Sequence, residues 1–332
     1  MPPVRRRKLA ASIISVILFL AAAVRLFAFS EREETASVLT HYMMGLIYDW
    51  QDKPHQALEE YQETLARDSE SGAVHLRLGI VYARTGKFEE AAKEFKTASQ
   101  LNPQDLQSHY LLALLYSSMK NDTAANQEFE TILSSLSREE PQNIQIRFYL
   151  GELYLRQKKF DEAMKQFQEA VRFDPSNTDA LFFIGAICEY NGQVDQAIKY
   201  FKNVLKLDPK HSSALNSLGY IYAQQGKNLD EAERLIKEAL TVEPANGAYV
   251  DSLGWVYFKK ATLLNDNKLL LSAIKELERA NSLLPDAEIL SHLGEAYLKN
   301  GEQAQAQKAW NESLRLNPDQ KELKVKLENL NK

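Results

Sequence analysis

The sequence predicts an all-α chain built as a linear array of about eight helical hairpins, and three regularities carry that expectation. Gly45, Gly79, Gly151, Gly185, Gly219, Gly254 and Gly294, with Ala113 in the one gap, recur at a step close to 34 residues, and such a period signals a stack of equal units. A Tyr follows three residues later in seven of the eight (Tyr48, Tyr82, Tyr116, Tyr154, Tyr222, Tyr257, Tyr297), with Cys188 in the eighth. An Ala follows twelve or thirteen residues after the small position in seven units and nineteen after Gly254, and four residues beyond it stands a bulky apolar side chain: Tyr61, Phe95, Phe129, Phe167, Phe201, Ile236, Leu277 or Trp310.

Each unit then divides into two short amphipathic helices, because apolar residues fall at i, i+3 and i+4 on both sides of turns such as Thr85-Gly86-Lys87 and Asn191-Gly192-Gln193. The small residues allow close approach of the paired backbones, and the bulky residue is expected to fill the wider gap one turn away. Pro103, Pro175, Pro209, Pro244, Pro285 and Pro318 end units, since proline cannot continue a helix. The charged stretch 320–332, with Leu323, Val325, Leu327 and Leu330 among Lys and Glu, reads as a final capping helix with a polar outer face.

The pattern Leu78-Gly79…Tyr82…Ala91…Phe95…Ala98…Pro103 resembles the tetratricopeptide repeat, over roughly nine tenths of the chain. The resemblance implies an α-solenoid, a right-handed superhelix whose first helices line a concave groove for peptides or partner domains, and no chemistry by itself. It places the array at 38–319, with repeats near 38–71, 72–105, 106–143, 144–177, 178–211, 212–246, 247–286 and 287–319. The tracts Ala214-Leu215-Asn216-Ser217-Leu218-Gly219-Tyr220, Asp251-Ser252-Leu253-Gly254-Trp255-Val256-Tyr257 and His292-Leu293-Gly294-Glu295 are similar to the C-terminal half of bacterial envelope tetratricopeptide proteins, many of them lipoproteins.

The N-terminus is a different material. Residues 1–8 are basic through Arg5, Arg6, Arg7 and Lys8, and 9–29 are apolar except for Ser12, Ser15 and Arg25, followed by a linker at 30–37. The apolar run reads as an uncleaved signal anchor, long enough to span about 30 Å as a helix, or alternatively as a signal peptide cleaved after Ala21-Ala22-Ala23. No Cys lies near it, so a lipoprotein cleavage site is absent there. Basic residues before the span and Glu31, Glu33 and Glu34 after it predict a cytoplasmic N-terminus with the repeats on the extracytoplasmic, periplasmic side. Three consecutive arginines are followed by Lys8-Leu9-Ala10, which does not fit a twin-arginine signal.

Charge argues against nucleic acid. Five of the 40 basic groups and none of the 45 acidic ones lie in residues 1–30, so the remainder carries 35 against 45 and would repel phosphate. No metalloprotease, nucleophile-elbow or phosphate-loop motif is present, and no cofactor or small-molecule substrate is expected. Cys188 occupies the repeated Tyr position and reads as a buried core thiol. His41, His75 and His109 hold one position in three successive repeats. Equivalent positions stand a helix-packing distance of about 8–10 Å apart, which suits partly buried structural histidines or a proton-sensitive seam better than a metal site.

Two insertions break the step. Ser134 to Asn143 reads as a longer surface loop and a candidate hinge, while Ala261 to Leu271, with five leucines, implies two longer helices that zip together beyond the array. That extension either packs on itself or offers a partner-binding tip. Function is expected in the groove, whose inward positions, by the family resemblance, include Tyr110, Phe148, Phe182, Tyr190, Asn216, Tyr220, Asp251, Trp255 and Phe258. The family's carboxylate clamp needs a basic fifth and an Asn ninth residue, a pairing found in no repeat here. The expectation is a membrane-tethered, non-enzymatic adaptor or scaffold of a bacterial envelope that docks an apolar partner segment in repeats five to seven, with Trp255 as an anchor. The alternatives are an organelle import or chaperone-docking receptor, and an enzyme with a cryptic histidine site.

Overall fold

The computed structural model describes residues 32–330; the basic segment 1–8 and the apolar span 9–29 lie outside them. Seventeen helices and no strand are present among the described residues. They fall into two compact units that divide between Pro141 and Gln142. Unit 1 holds α1 (32–50), α2 (Pro54–Arg67), α3 (Gly72–Arg84), α4 (Phe88–Leu101), α5 (Leu106–Ser118) and α6 (Asp122–Glu139). Unit 2 holds α7 (Ile144–Arg156), α8 (Phe160–Phe173), α9 (Thr178–Tyr190), α10 (Val194–Leu207), α11 (Ser212–Gln224), α12 (Leu229–Val242), α13 (Gly247–Leu264), α14 (Asn267–Leu283), α15 (Ala287–Lys299), α16 (Gln303–Leu316) and α17 (Lys321–Leu330). No helix among the described residues is long and apolar enough to cross a membrane.

Each hairpin closes on its small residue. A Cβ built on Gly79 would lie 2.7 Å from Phe95, and the same clash meets Phe167 at Gly151, Phe201 at Gly185 and Ile236 at Gly219. The bulky residue therefore sits on the glycine itself, not one turn away, because the absent Cβ is the space that the ring occupies. Tyr61, Phe95, Phe167, Phe201, Ile236, Leu277 and Trp310 are all at most 2 % exposed as a result. The recurrent Tyr explains itself at the rim, where Lys53, Lys87 and Lys159 from the following turns lie 5.5–5.9 Å over the rings of Tyr48, Tyr82 and Tyr154. Turn chemistry is equally local: Asp105, Asn143, Asn177, Asn246 and Asp286 cap α5, α7, α9, α13 and α15 by accepting from backbone N–H groups of the first turn.

Three expectations change. Residues 32–37 are the first turns of α1 and not a linker; Glu33, Glu34 and Ala36 favour a helix, and acids are stabilised in a first turn. Ser134 to Glu139 continue α6 instead of looping, since no glycine or proline interrupts the chain before Pro141 forces Glu140 out of helical geometry. The leucine-rich insertion extends α13 and α14 to 18 and 17 residues, joined by a tight turn at Asn265 in the left-handed region (φ 53°) and capped by Asp266. Its base packs on itself through Ala261 and Leu270, whereas Leu263, Leu264 and Leu271 stay more than half exposed. Leu263, Leu264 and Lys260 there face Gly226 to Glu231 across a cleft of about 460 Å³.

Candidate partner-binding groove

Within unit 2 the first helices of successive repeats, α9, α11, α13 and α15, lie side by side. The Tyr220 hydroxyl on α11 donates to Glu288 Oε1 on α15 at 2.5 Å, passing the intervening α13. Side chains two repeats apart can meet only if this face curves inward, so the face is concave.

A connected polar cluster occupies the wall. His292 Nδ1 meets both carboxylate oxygens of Asp251 at 3.0 Å, with each side chain 8 % exposed. The imidazole also stacks on Trp255, with centroids 4.0 Å apart and planes at 17°. Trp255 stacks in turn on Phe258 at 4.9 Å, and Lys259 Nζ lies 4.6 Å over the indole. Gln224 donates to the same Tyr220 hydroxyl at 2.5 Å. Of the five buried side-chain polar atoms without a hydrogen-bond partner among the described residues, two belong to these helices, Asn216 Oδ1 and Trp255 Nε1. Each costs roughly 1–3 kcal/mol relative to its solvated state.

Burial sets the electrostatics. Glu189, near the end of α9, has its carboxyl pushed up to about 7, first by desolvation and then by the charge of Glu288. Burial also raises the Asp251 carboxyl, against the opposing pull of His292. The Tyr220 phenol is raised by burial and by Glu288. These are acidic groups whose charge the folded wall disfavours.

The pH dependence of stability follows from Glu189. In the unfolded chain this group ionises near its ordinary 4.5, and in the folded protein near about 7. Folding takes up a proton between these values, so the stability present below the first is lost as pH rises through the second. Glu189→Gln is expected to remove that loss: between about pH 5 and pH 8 the wild type should give up about 2 kcal/mol more than the variant, allowing for residual solvent contact. Denaturant titrations at both pH values measure this, and equal slopes for the two proteins would refute it.

The residues expected in the groove divide. Tyr110 lies in unit 1, half exposed. The other eight lie in unit 2, where Asn216, Tyr220, Asp251, Trp255 and Phe258 line or adjoin the polar wall. Asp251 and Trp255 are only 6 % and 7 % exposed, so Trp255 supports the wall from within it. Phe148 and Phe182 pack in the ring cluster of Phe167, Phe183 and Phe201. Tyr190 is 69 % exposed and stacked on Phe160, which makes it the open aromatic surface of α9. His292, Glu288, Glu189 and Gln224 are absent from the expected set. Asp251 and His292 nevertheless carry a sequence signal, as ionisable residues in otherwise apolar tracts beside Gly254 and Gly294.

In unit 1 the three equivalent histidines each close on a Glu of their own hairpin: His41 on Glu60, His75 on Glu94 and His109 on Glu128, at 2.6–2.7 Å. Each pair ties a first helix to its second across 19 residues, and the next repeat places Arg147 and Gln166 at the same spacing. The histidines are therefore clamps within repeats and do not converge.

Profiles of the tetratricopeptide repeat match residues 51–115, 145–177, 189–260 and 287–320. No curated protein matches the sequence significantly. Among solved structures, the chain is similar to the APC/C hetero-tetramer Cut9–Hcn1 (TM-score 0.55, 19 % identity, covering 84 % of this chain and 53 % of that one). It is also similar to Naa15/Naa10 bound to HypK-THB (TM-score 0.53, 16 % identity, 90 % and 61 % covered). A third similar structure is a thermophilic tetratricopeptide-repeat protein of Thermus thermophilus (TM-score 0.46, 23 % identity, 56 % and 98 % covered). The first two likenesses concern the fold, and with the four matched segments and the repeated glycine-on-ring hairpins they lead to one conclusion: the chain belongs to the tetratricopeptide-repeat family.

Proposed function

We propose that the protein is a non-enzymatic scaffold that holds a partner polypeptide against the concave face of unit 2, tethered to a membrane by residues 9–29 with its repeats on the extracytoplasmic side of a bacterial envelope. One observation carries the binding part: the bond from Tyr220 on α11 to Glu288 on α15 across α13 makes this face concave, and its wall holds the Asp251–His292 pair and unpaired polar atoms of Asn216 and Trp255. A repeat array needs only apolar contacts between neighbours to stand. Polar groups kept in its inner wall at a cost are the mark of a recognition surface, in which aromatic area supplies affinity and buried polar groups supply selection. The tether rests on the apolar run and on the charge difference across it.

A photo-crosslinking residue at Tyr190 or Phe258 in the full chain in cells tests the binding, with one at Lys308 on the exposed face of α16 as the control. The groove positions are expected to give a discrete adduct and the control none; equal labelling at all three would reject the groove. Protease added to spheroplasts tests the topology. Digestion of the repeats without opening the inner membrane is expected, and protection until it is opened would place them in the cytoplasm.

A further inference from the structure

Resting on the reading of residues 9–29 as a membrane tether, we infer that the outer face of α1 is a self-association surface through which two copies of this chain pair side by side in one membrane. Within each unit a later first helix packs on the second helix of the repeat before it, as Val74, Leu78 and Val81 of α3 pack on Ala57, Leu58 and Tyr61 of α2. Val81 stands two positions after Gly79 and is fully buried, and its counterparts Leu115, Ile187, Ile221, Val256 and Ala296 are at most 6 % exposed. Ile47 holds the same position after Gly45 in α1 and is 41 % exposed.

The open face is more than an end left bare. Leu39, Met43, Ile47 and Trp50 follow one another by four, four and three residues and so form one exposed stripe along α1, with Trp50 87 % exposed. Leu39, Met43 and Trp50 stand where the second repeat has Ala73, Arg77 and Arg84, and the Trp50 position is taken by Arg156, Lys259 and Lys299 further on. Contact with water is met by such cations, whereas Trp and Met in their place have the composition of an interface centre. Residues 35–48 include no Asp, Glu, Lys or Arg, so covering this stretch desolvates none of those charges.

Two observations point to a second copy as the occupant. Only Ser30 and Glu31 stand between the apolar run and α1, so with the run in the bilayer no stretch of chain between the two is left to fold over the stripe. Leu39 follows Phe29 by ten residues, which holds the start of the stripe within about 35 Å of the membrane even at full extension. Every copy then presents the stripe at one height and in one orientation, at the raised effective concentration of a shared surface. The C-terminal end of the array, by contrast, is closed, since α17 lays Leu323 and Leu327 against Trp310. One open end per chain cannot propagate head to tail, so like faces pair about a two-fold axis along the membrane normal and assembly stops at two.

Oxidative crosslinking of the full chain in the membranes of expressing cells tests this, with Met43→Cys at the centre of the stripe and Thr131→Cys, exposed on α6, as the control. The native Cys188 is buried. Met43→Cys is expected to give a covalent adduct of twice the chain mass and Thr131→Cys none. Adding Leu39→Glu and Trp50→Glu should cut the Met43→Cys adduct at least about tenfold, because pairing would bury carboxylates without partners. Both residues are exposed, so helical content by circular dichroism should stay unchanged in that variant. Equal adducts from the two cysteine variants, or an undiminished adduct beside the two glutamates, would overturn the inference. An adduct of another mass would overturn it too, by assigning the stripe to a different protein. Carbonate extraction of the same membranes reads the tether separately. Chain retained in the membrane without the dimer adduct overturns the pairing and keeps the tether, whereas extracted chain that still gives the adduct overturns the tether and keeps the pairing.

Discussion

Replacing His292 with leucine is expected to cost unit 2 about 3–5 kcal/mol, because it leaves the Asp251 carboxyl buried without its hydrogen-bond partner. Burial already raises the Asp251 carboxyl, and His292 is the main influence holding it down. In the variant the carboxyl rises further, so the loss is small where Asp251 is protonated and grows as pH increases. The combined Asp251→Leu and His292→Leu variant should recover most of the stability, since an apolar pair of similar volume needs no desolvation of charge. Denaturant unfolding of the three proteins at low and neutral pH measures the effect. A double variant no more stable than the single one would mean that the pair is not the unit of stability.

Trp310→Ala should have a comparable effect at the C-terminal end, about 3–5 kcal/mol, but a local one. Trp310 is 1 % exposed, fills the space over Gly294, donates its indole N–H to the Ser291 carbonyl oxygen at 3.1 Å, and supports Leu323 and Leu327 of α17. Its removal opens the last hairpin and undocks the cap together. Because each repeat contacts only its neighbours, hydrogen exchange should lose protection in α15, α16 and α17 while α9 to α12 keep theirs. A uniform loss over unit 2 would show that its repeats unfold as one body.

Legibility in the sequence followed the range of the interactions. The helical hairpins could be read because glycine, turn and proline positions act within a few residues of themselves. The groove was readable only in part. Asn216, Tyr220, Asp251 and Trp255 could be placed on one face by register, whereas Tyr220 and Glu288 could not be brought together, because they lie 68 positions apart and meet across the intervening α13. Local rules also fail where a helix has no reason to stop: Ser134 to Glu139 look like a loop in composition, yet they extend α6 to the proline.

The sequence by itself determined the repeat, its all-α class and the small-residue positions on which each hairpin closes, since these depend on a period and on steric contacts between residues less than one repeat apart. The tertiary structure alone decided which polar side chains share the concave wall, that Trp255 is buried in it while Tyr190 is open, and that burial pushes the Glu189 carboxyl up to about 7. The physical reason is that protonation and burial depend on the summed approach of four helices from four repeats, and no single repeat encodes that sum.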